Sequence, residues 1–62
     1  PAKGLSTTQM KQLQRELQLR GYNVGKIDGI LGAGTRGAVQ AEQGKLGLPA
    51  DAWPTEELLY KF

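Results

Sequence analysis

The sequence predicts an all-α fold, a small three-helix bundle with a long ordered glycine-rich loop between helices 1 and 2. Three observations carry that expectation. A capping pattern near the N-terminus precedes an apolar stripe of helical period. Glycine and asparagine crowd the stretch NVGKIDGILGAG, which breaks any regular element there. A C-terminal segment opens on Pro54-Thr55 and continues with acidic and then apolar residues, the order expected of a short helix.

Helix 1 opens at Ser6, which with Gln9 forms an S-x-x-Q capping box, while Leu5 can staple onto Met10 one turn in. Met10, Leu13 and Leu17 recur on one face, with Lys11, Arg15 and Glu16 off it and Leu19 exposed on the opposite side. Gly21 ends the helix in the left-handed region and Tyr22 follows as an apolar lock. In the loop, Val24, Ile27, Ile30 and Leu31 are expected to point inward, with at most a short extended pair around Val24 and Ile27. Helix 2 is expected from Thr35, its cap, to Leu46, closed by Gly47, and buries Ala38, Val39 and Leu46 with Gln43 beside them.

Gly37 and Gly44 lie inside that helix, and each weakens it by roughly 1 kcal/mol relative to alanine. Tertiary contacts must therefore hold it, and Gly37 leaves room for another backbone or a ligand. Helix 3 follows Pro54 or Thr55, carries Glu56 and Glu57 in its first turn, and packs through Leu58, Leu59 and Phe62. Leu13-Gln14 precedes Gly21-Tyr22 as Val39-Gln40 precedes Gly47-Leu48, an echo that two glycine-capped helices explain without an internal repeat.

Sixty-two residues make one domain over 1–62, with 1–4 as a tail or linker. A chain this short buries only about 60% of the surface that its unfolded form exposes, so the core is small. It has no cysteine for a disulfide and no histidine for an imidazole metal site, and no cofactor or metal is expected. Eight Lys and Arg against six Asp and Glu give a net charge of +2. The basic residues scatter from Lys3 to Lys61 rather than forming the patch of a nucleic-acid module. No apolar run approaches the roughly 18 residues of a membrane span, and no signal peptide is visible. Beginning at Pro1 rather than methionine, the chain reads as a processed product or a piece of a longer protein, and it is expected to be monomeric.

The stretch GAGTRG, residues 32–37, matches the dinucleotide fingerprint G-x-G-x-x-G, but the flanking strands which that motif needs are missing. The lone serine, Ser6, serves as a cap, and without histidine no Ser-His-Asp arrangement exists. Glu56 and Glu57 are adjacent on a helix and point apart, while Asp28 and Asp51 sit in turns where aspartate caps backbone amides. Asp28-Gly29 lacks the alternating oxygen ligands of a calcium loop. A helix-turn-helix reading would place Arg36, Gln40, Gln43 and Lys45 on the recognition helix. The connection from Gly21 to Gly34 is far longer than that motif's turn, and Glu42 would oppose phosphates.

The ordered set Leu13-Gln14, Leu17, Gly21-Tyr22, Gly25, Ile27-Asp28-Gly29, Gly32, Thr35-Arg36, Ala38-Val39, Gln43 and Gly47-Leu48 resembles the peptidoglycan-binding domain of bacterial cell-wall enzymes. The resemblance covers residues 5–62, and the closing PADAWPTEELL is similar to versions at the C-terminus of lytic murein transglycosylases. Two positions depart from the pattern. Glu42 stands where the family usually has an aromatic, so helix 2 packs differently or Trp53 fills the space, and Ala52 replaces a common glycine after Asp51. The resemblance implies a three-helix, non-catalytic domain that tethers a neighbouring hydrolase or lyase to murein in a bacterial cell envelope. The expected partners are peptidoglycan, through its stem peptide, and the catalytic domain of the parent enzyme. A protein-docking module of the same fold is the alternative.

Arg36 lies in the first turn of helix 2, where free amides, close-approach glycines and a guanidinium make a carboxylate site. Arg36 with the backbone from Gly34 through Thr35 to Gly37 is the expected receiver of a stem-peptide carboxylate; pairing with Asp28 or a glutamate is the competing fate of that arginine. Tyr22, Asn23 and Lys26 are candidates for a facing wall, although Tyr22 after a helix cap also suits the core. Trp53 suits either a sugar-stacking role or the core, and Gln14 and Gln43 are expected to satisfy loop backbone.

Overall fold

A computed structural model describes residues 4–61. The chain folds as α1 (Thr7–Leu19), α2 (Ala33–Lys45) and α3 (Glu56–Tyr60), with no strand among the described residues. The all-α three-helix architecture is as the sequence implied. The expected contact of Phe62, and most of the tail at 1–4, lie outside the described residues.

Local chemistry sets each boundary. Ser6 caps α1 with both halves of the capping box formed, since the Gln9 amide donates to the Ser6 hydroxyl oxygen at 3.2 Å and the Ser6 amide to Gln9 Oε1 at 3.0 Å. At its other end Gly21 takes φ +96°, the Tyr22 amide donates to Leu17 O at 3.1 Å, and the Gly21 amide donates to Gln18 O at 3.0 Å. That pair of bonds is a Schellman motif, and α2 repeats it, with the amides of Leu48 and Gly47 donating to Gln43 O and Gly44 O. Thr55 opens α3, and its hydroxyl oxygen accepts from the Leu58 amide at 3.3 Å.

Two expectations fail in the middle of the chain. α2 begins at Ala33, not Thr35, because Gly32 takes the N-cap position without a side-chain cap. Thr35 is consequently not a cap; it lies inside the first turn, buried. Ile30 does not point inward but stands exposed, while Val24 is buried and Leu31 packs against the core.

The core joins Met10, Leu13 and Leu17 of α1, Ala38 and Val39 of α2, Leu58 and Leu59 of α3, and Val24 of the loop. Each fully buried leucine contributes about 1.5–3 kcal/mol. One face of each helix is thereby spent on the others, which leaves the ends of α2 and the loops for function. No helix of the described residues is long and apolar enough to cross a membrane.

Candidate functional site

Two buried glutamines fix the loops around which any site must be built. Gln14 of α1 is wholly buried; its Oε1 accepts the Gly29 amide at 2.9 Å, and its Nε2 donates to Ile30 O at 3.0 Å and to the Thr35 hydroxyl oxygen at 3.1 Å. A longer contact of 3.4 Å runs from Nε2 to Asp28 Oδ1, which also accepts the Ile30 amide at 2.9 Å. That Ile30 amide holds the Asp28 carboxyl below its ordinary value of 3.8, against the opposing effect of burial and with help from the Gln14 amide.

Gln43 does the same near the C-terminal end of α2. Its Oε1 accepts the Ala52 amide at 3.0 Å, and its Nε2 donates to Trp53 O at 3.0 Å and to Asp51 Oδ1 at 3.1 Å. Asp51 Oδ1 in turn accepts the Trp53 amide at 2.9 Å. The central residue of each turn has positive φ, +77° at Gly29 and 63° at Ala52. The roles expected for Gln14, Gln43 and Asp28 are thus observed. What sequence reasoning missed is that the two arrangements are copies. The signal was Asp28-Gly29-Ile30 beside Asp51-Ala52-Trp53, each preceded by a helical glutamine, a different register from the glycine-cap echo.

The residues singled out near the start of α2 divide into supports and open surface. A Cβ on Gly34 would stand 3.0 Å from Asn23 O and 3.3 Å from Val24 O, so the loop backbone is seated on the helix there. The backbone approach occurs at Gly34 and not at Gly37, where nothing lies within 4 Å of a Cβ and the space stays open. Thr35 is held by Gln14, and the Asn23 side chain accepts the Gly25 amide at 3.2 Å. Arg36 is exposed and pairs with neither Asp28 nor a glutamate among the described residues. Its own amide donates to Gly32 O at 2.9 Å, so the amides of residues 33–35 precede the first intrahelical bond of α2. Lys26 is exposed on the loop.

Tyr22 and Trp53 lie apart from that turn. The Tyr22 hydroxyl donates to Glu42 Oε2 at 2.8 Å, and the Lys45 ammonium stands 5.3 Å from its ring centroid. Trp53 is 43% exposed, which places it outside the core. It borders a recess of about 150 Å³ lined with Leu48, Pro49, Asp51, Thr55 and Glu57 over Gln43.

The family described as "Putative peptidoglycan binding domain" matches residues 6–61. The chain belongs to this family. It is 37% identical over 95% of its length to the spore cortex-lytic enzyme of Bacillus cereus, and it covers 24% of that protein. Among solved structures it is similar to SltB3 from Pseudomonas aeruginosa in complex with NAG-anhNAM-pentapeptide, and to the same protein in complex with NAG-NAM-pentapeptide. Both superpose with a TM-score of 0.86 at 49% identity, over 92% of this chain and 15% of that one. The chain therefore spans a quarter or less of these relatives.

Within this peptidoglycan-binding domain, the two departures from the family pattern have different outcomes. Glu42 is buried at 4% exposure, and its charge is met by the Tyr22 hydroxyl and by Arg20 Nη1 at 3.6 Å. Tyr22 and Arg20, not Trp53, therefore answer the missing aromatic. Ala52 keeps the left-handed turn that Gly29 makes in the first copy, in a conformation that disfavours any residue with a Cβ.

Proposed function

We propose that this chain is a non-catalytic module that binds peptidoglycan and holds a cell-wall-degrading enzyme on its substrate, in the bacterial cell envelope. The observation that carries the reading is the family match across residues 6–61, in a chain that spans only part of its cell-wall lytic relatives. A lack of catalytic equipment agrees with it. Ser6 is committed to capping α1, the sequence has no histidine, and Asp28 and Asp51 each hold their own turn.

The contact surface is the open first turn of α2. Arg36 offers a planar fork of donors with no carboxylate partner among the described residues, beside amides that precede the first intrahelical bond. A stem-peptide carboxylate fits that chemistry, and Gly37 lets it approach the helix axis closely. The Asn23 carbonyl borders the turn from the loop, against Gly34, and Thr35 supports it from within, while Tyr22 is committed to Glu42 near the other end of α2.

Sedimentation with purified sacculi tests the reading. The chain should pellet with murein, and Arg36→Ala should weaken that binding about tenfold, the loss of one charge-assisted contact. An Arg36→Ala chain that pelleted as well as the parent would remove the arginine from the site. Failure to bind sacculi, with binding to a separately supplied catalytic domain, would make this a docking module instead.

A further inference from the structure

Trp53 is the single tryptophan of a short chain, and it is left 43% exposed where burying it would enlarge a small core. It is also mounted rigidly. Its amide is held by Asp51 Oδ1 and its carbonyl by Gln43 Nε2, so the indole is presented without the usual cost of ordering a loop. Gly4 lies against one edge of the ring, where a Cβ would be 3.3 Å from Cζ2.

The adjoining recess has two chemistries. Its lining combines the apolar Leu48, Pro49 and Trp53 with the polar Thr55, Asp51 and Glu57. Asp51 Oδ1 is occupied by the turn, but Oδ2 has no donor among the described residues, and Glu57 is exposed with no hydrogen bond or ion pair there. A pyranose matches such a surface: its C–H face lies on the negative face of an aromatic ring, and its hydroxyls donate to carboxylates. A carboxylate-bearing peptide end does not match, because Asp51 and Glu57 repel it.

Resting on the peptidoglycan reading above, we propose that this recess takes an amino-sugar ring of the glycan strand. Arg36 and Gln43 are seven residues apart on α2, about 10 Å along the axis. The domain thus engages murein at two points, the peptide at the start of α2 and the glycan beyond its end. A recess of 150 Å³ is well below a small-molecule pocket of about 300 Å³ or more, so this contact is open and shallow and works alongside the first.

The test follows the Trp53 fluorescence and its indole Nε1–H resonance while the chain is titrated, separately, with a neutral GlcNAc oligosaccharide and with free stem peptide. The oligosaccharide should move both signals and the stem peptide neither. Trp53→Ala should weaken oligosaccharide binding about tenfold with the helical circular dichroism unchanged. Glu57→Gln should weaken it about threefold. An indole that ignores the glycan, while intact muropeptide still shifts the amides at the start of α2, overturns this proposal and leaves the murein reading standing. An indole that responds only to stem peptide carrying a free ammonium also overturns it, and makes the recess a cation site. Failure of every probe and of sacculi removes both readings together.

Discussion

Ala52 and Gly29 occupy equivalent places in two copies of one turn, yet substitution at each should act in opposite directions. Ala52 sits at φ 63°, which costs an L-residue roughly 1–2 kcal/mol, so Ala52→Gly should raise stability by about 1 kcal/mol. Gly29→Ala should destabilise strongly, since its Cβ would stand 2.6 Å from Thr7 Cγ2 and 3.1 Å from Thr7 O. Thermal unfolding reads both, at about 4–8 °C per kcal/mol for a domain of this size. Gln14→Leu should cost about 2–4 kcal/mol, because it strands the buried Thr35 hydroxyl and the partly buried Gly29 amide and Ile30 O. Denaturant melts should show that loss, and an unchanged midpoint would contradict the role given to the glutamine. The capping box was readable in the sequence because all its partners lie within four residues. The glutamine partners at Asp28 and Asp51 were not, because nothing local says which helix a turn will close against. Trp53 was ambiguous for a related reason: composition says that tryptophan is valuable to a core, and only the position of the turn shows it outside.

At the level of elements, α2 carries both ends of the proposed function and is the weakest helix by composition. Nothing lies within 4 Å of a Cβ at Gly37 or Gly44, so Gly37→Ala and Gly44→Ala should each stabilise the domain by up to about 1 kcal/mol. The two should separate in binding. Gly44→Ala should leave sacculus binding intact, whereas Gly37→Ala should weaken it if Gly37 serves ligand approach. The apolar periodicity of α1 and the glycine ends of α1 and α2 were legible, being local patterns of side-chain volume and left-handed turns. The start of α2 was not, because Gly32 caps without a side chain and so leaves no residue signature. Thr35 is freed by that shift to face Gln14. The detail of the loop from residue 20 to residue 32 was not legible, because it depends on Gln14 and on the seat at Gly34, both distant in sequence.

At the scale of the whole molecule, stability should fall in acid through Asp28. Its carboxyl is held below 3.8 in the folded state, so the ionised form favours folding. That contribution is present above 3.8 and is lost as pH falls through the lower folded value. Asp28→Asn keeps an oxygen acceptor for the Ile30 amide and removes the titration. Unfolding midpoints measured across the acid range should therefore fall less steeply in Asp28→Asn than in the parent. Two turns, each latched by a glutamine, hold loops at opposite ends of α2, and the core between them keeps those ends at a fixed separation. That arrangement suits a module that grips a polymer rather than one that encloses a small substrate. The most direct measurement of the central claim is an amide-shift titration with soluble muropeptide. The amides from Ala33 to Gly37 and the Arg36 side chain should move together and saturate, and Arg36→Ala should move that saturation to about tenfold higher concentration. A titration that left those amides unmoved at concentrations where the chain pellets with sacculi would contradict the account.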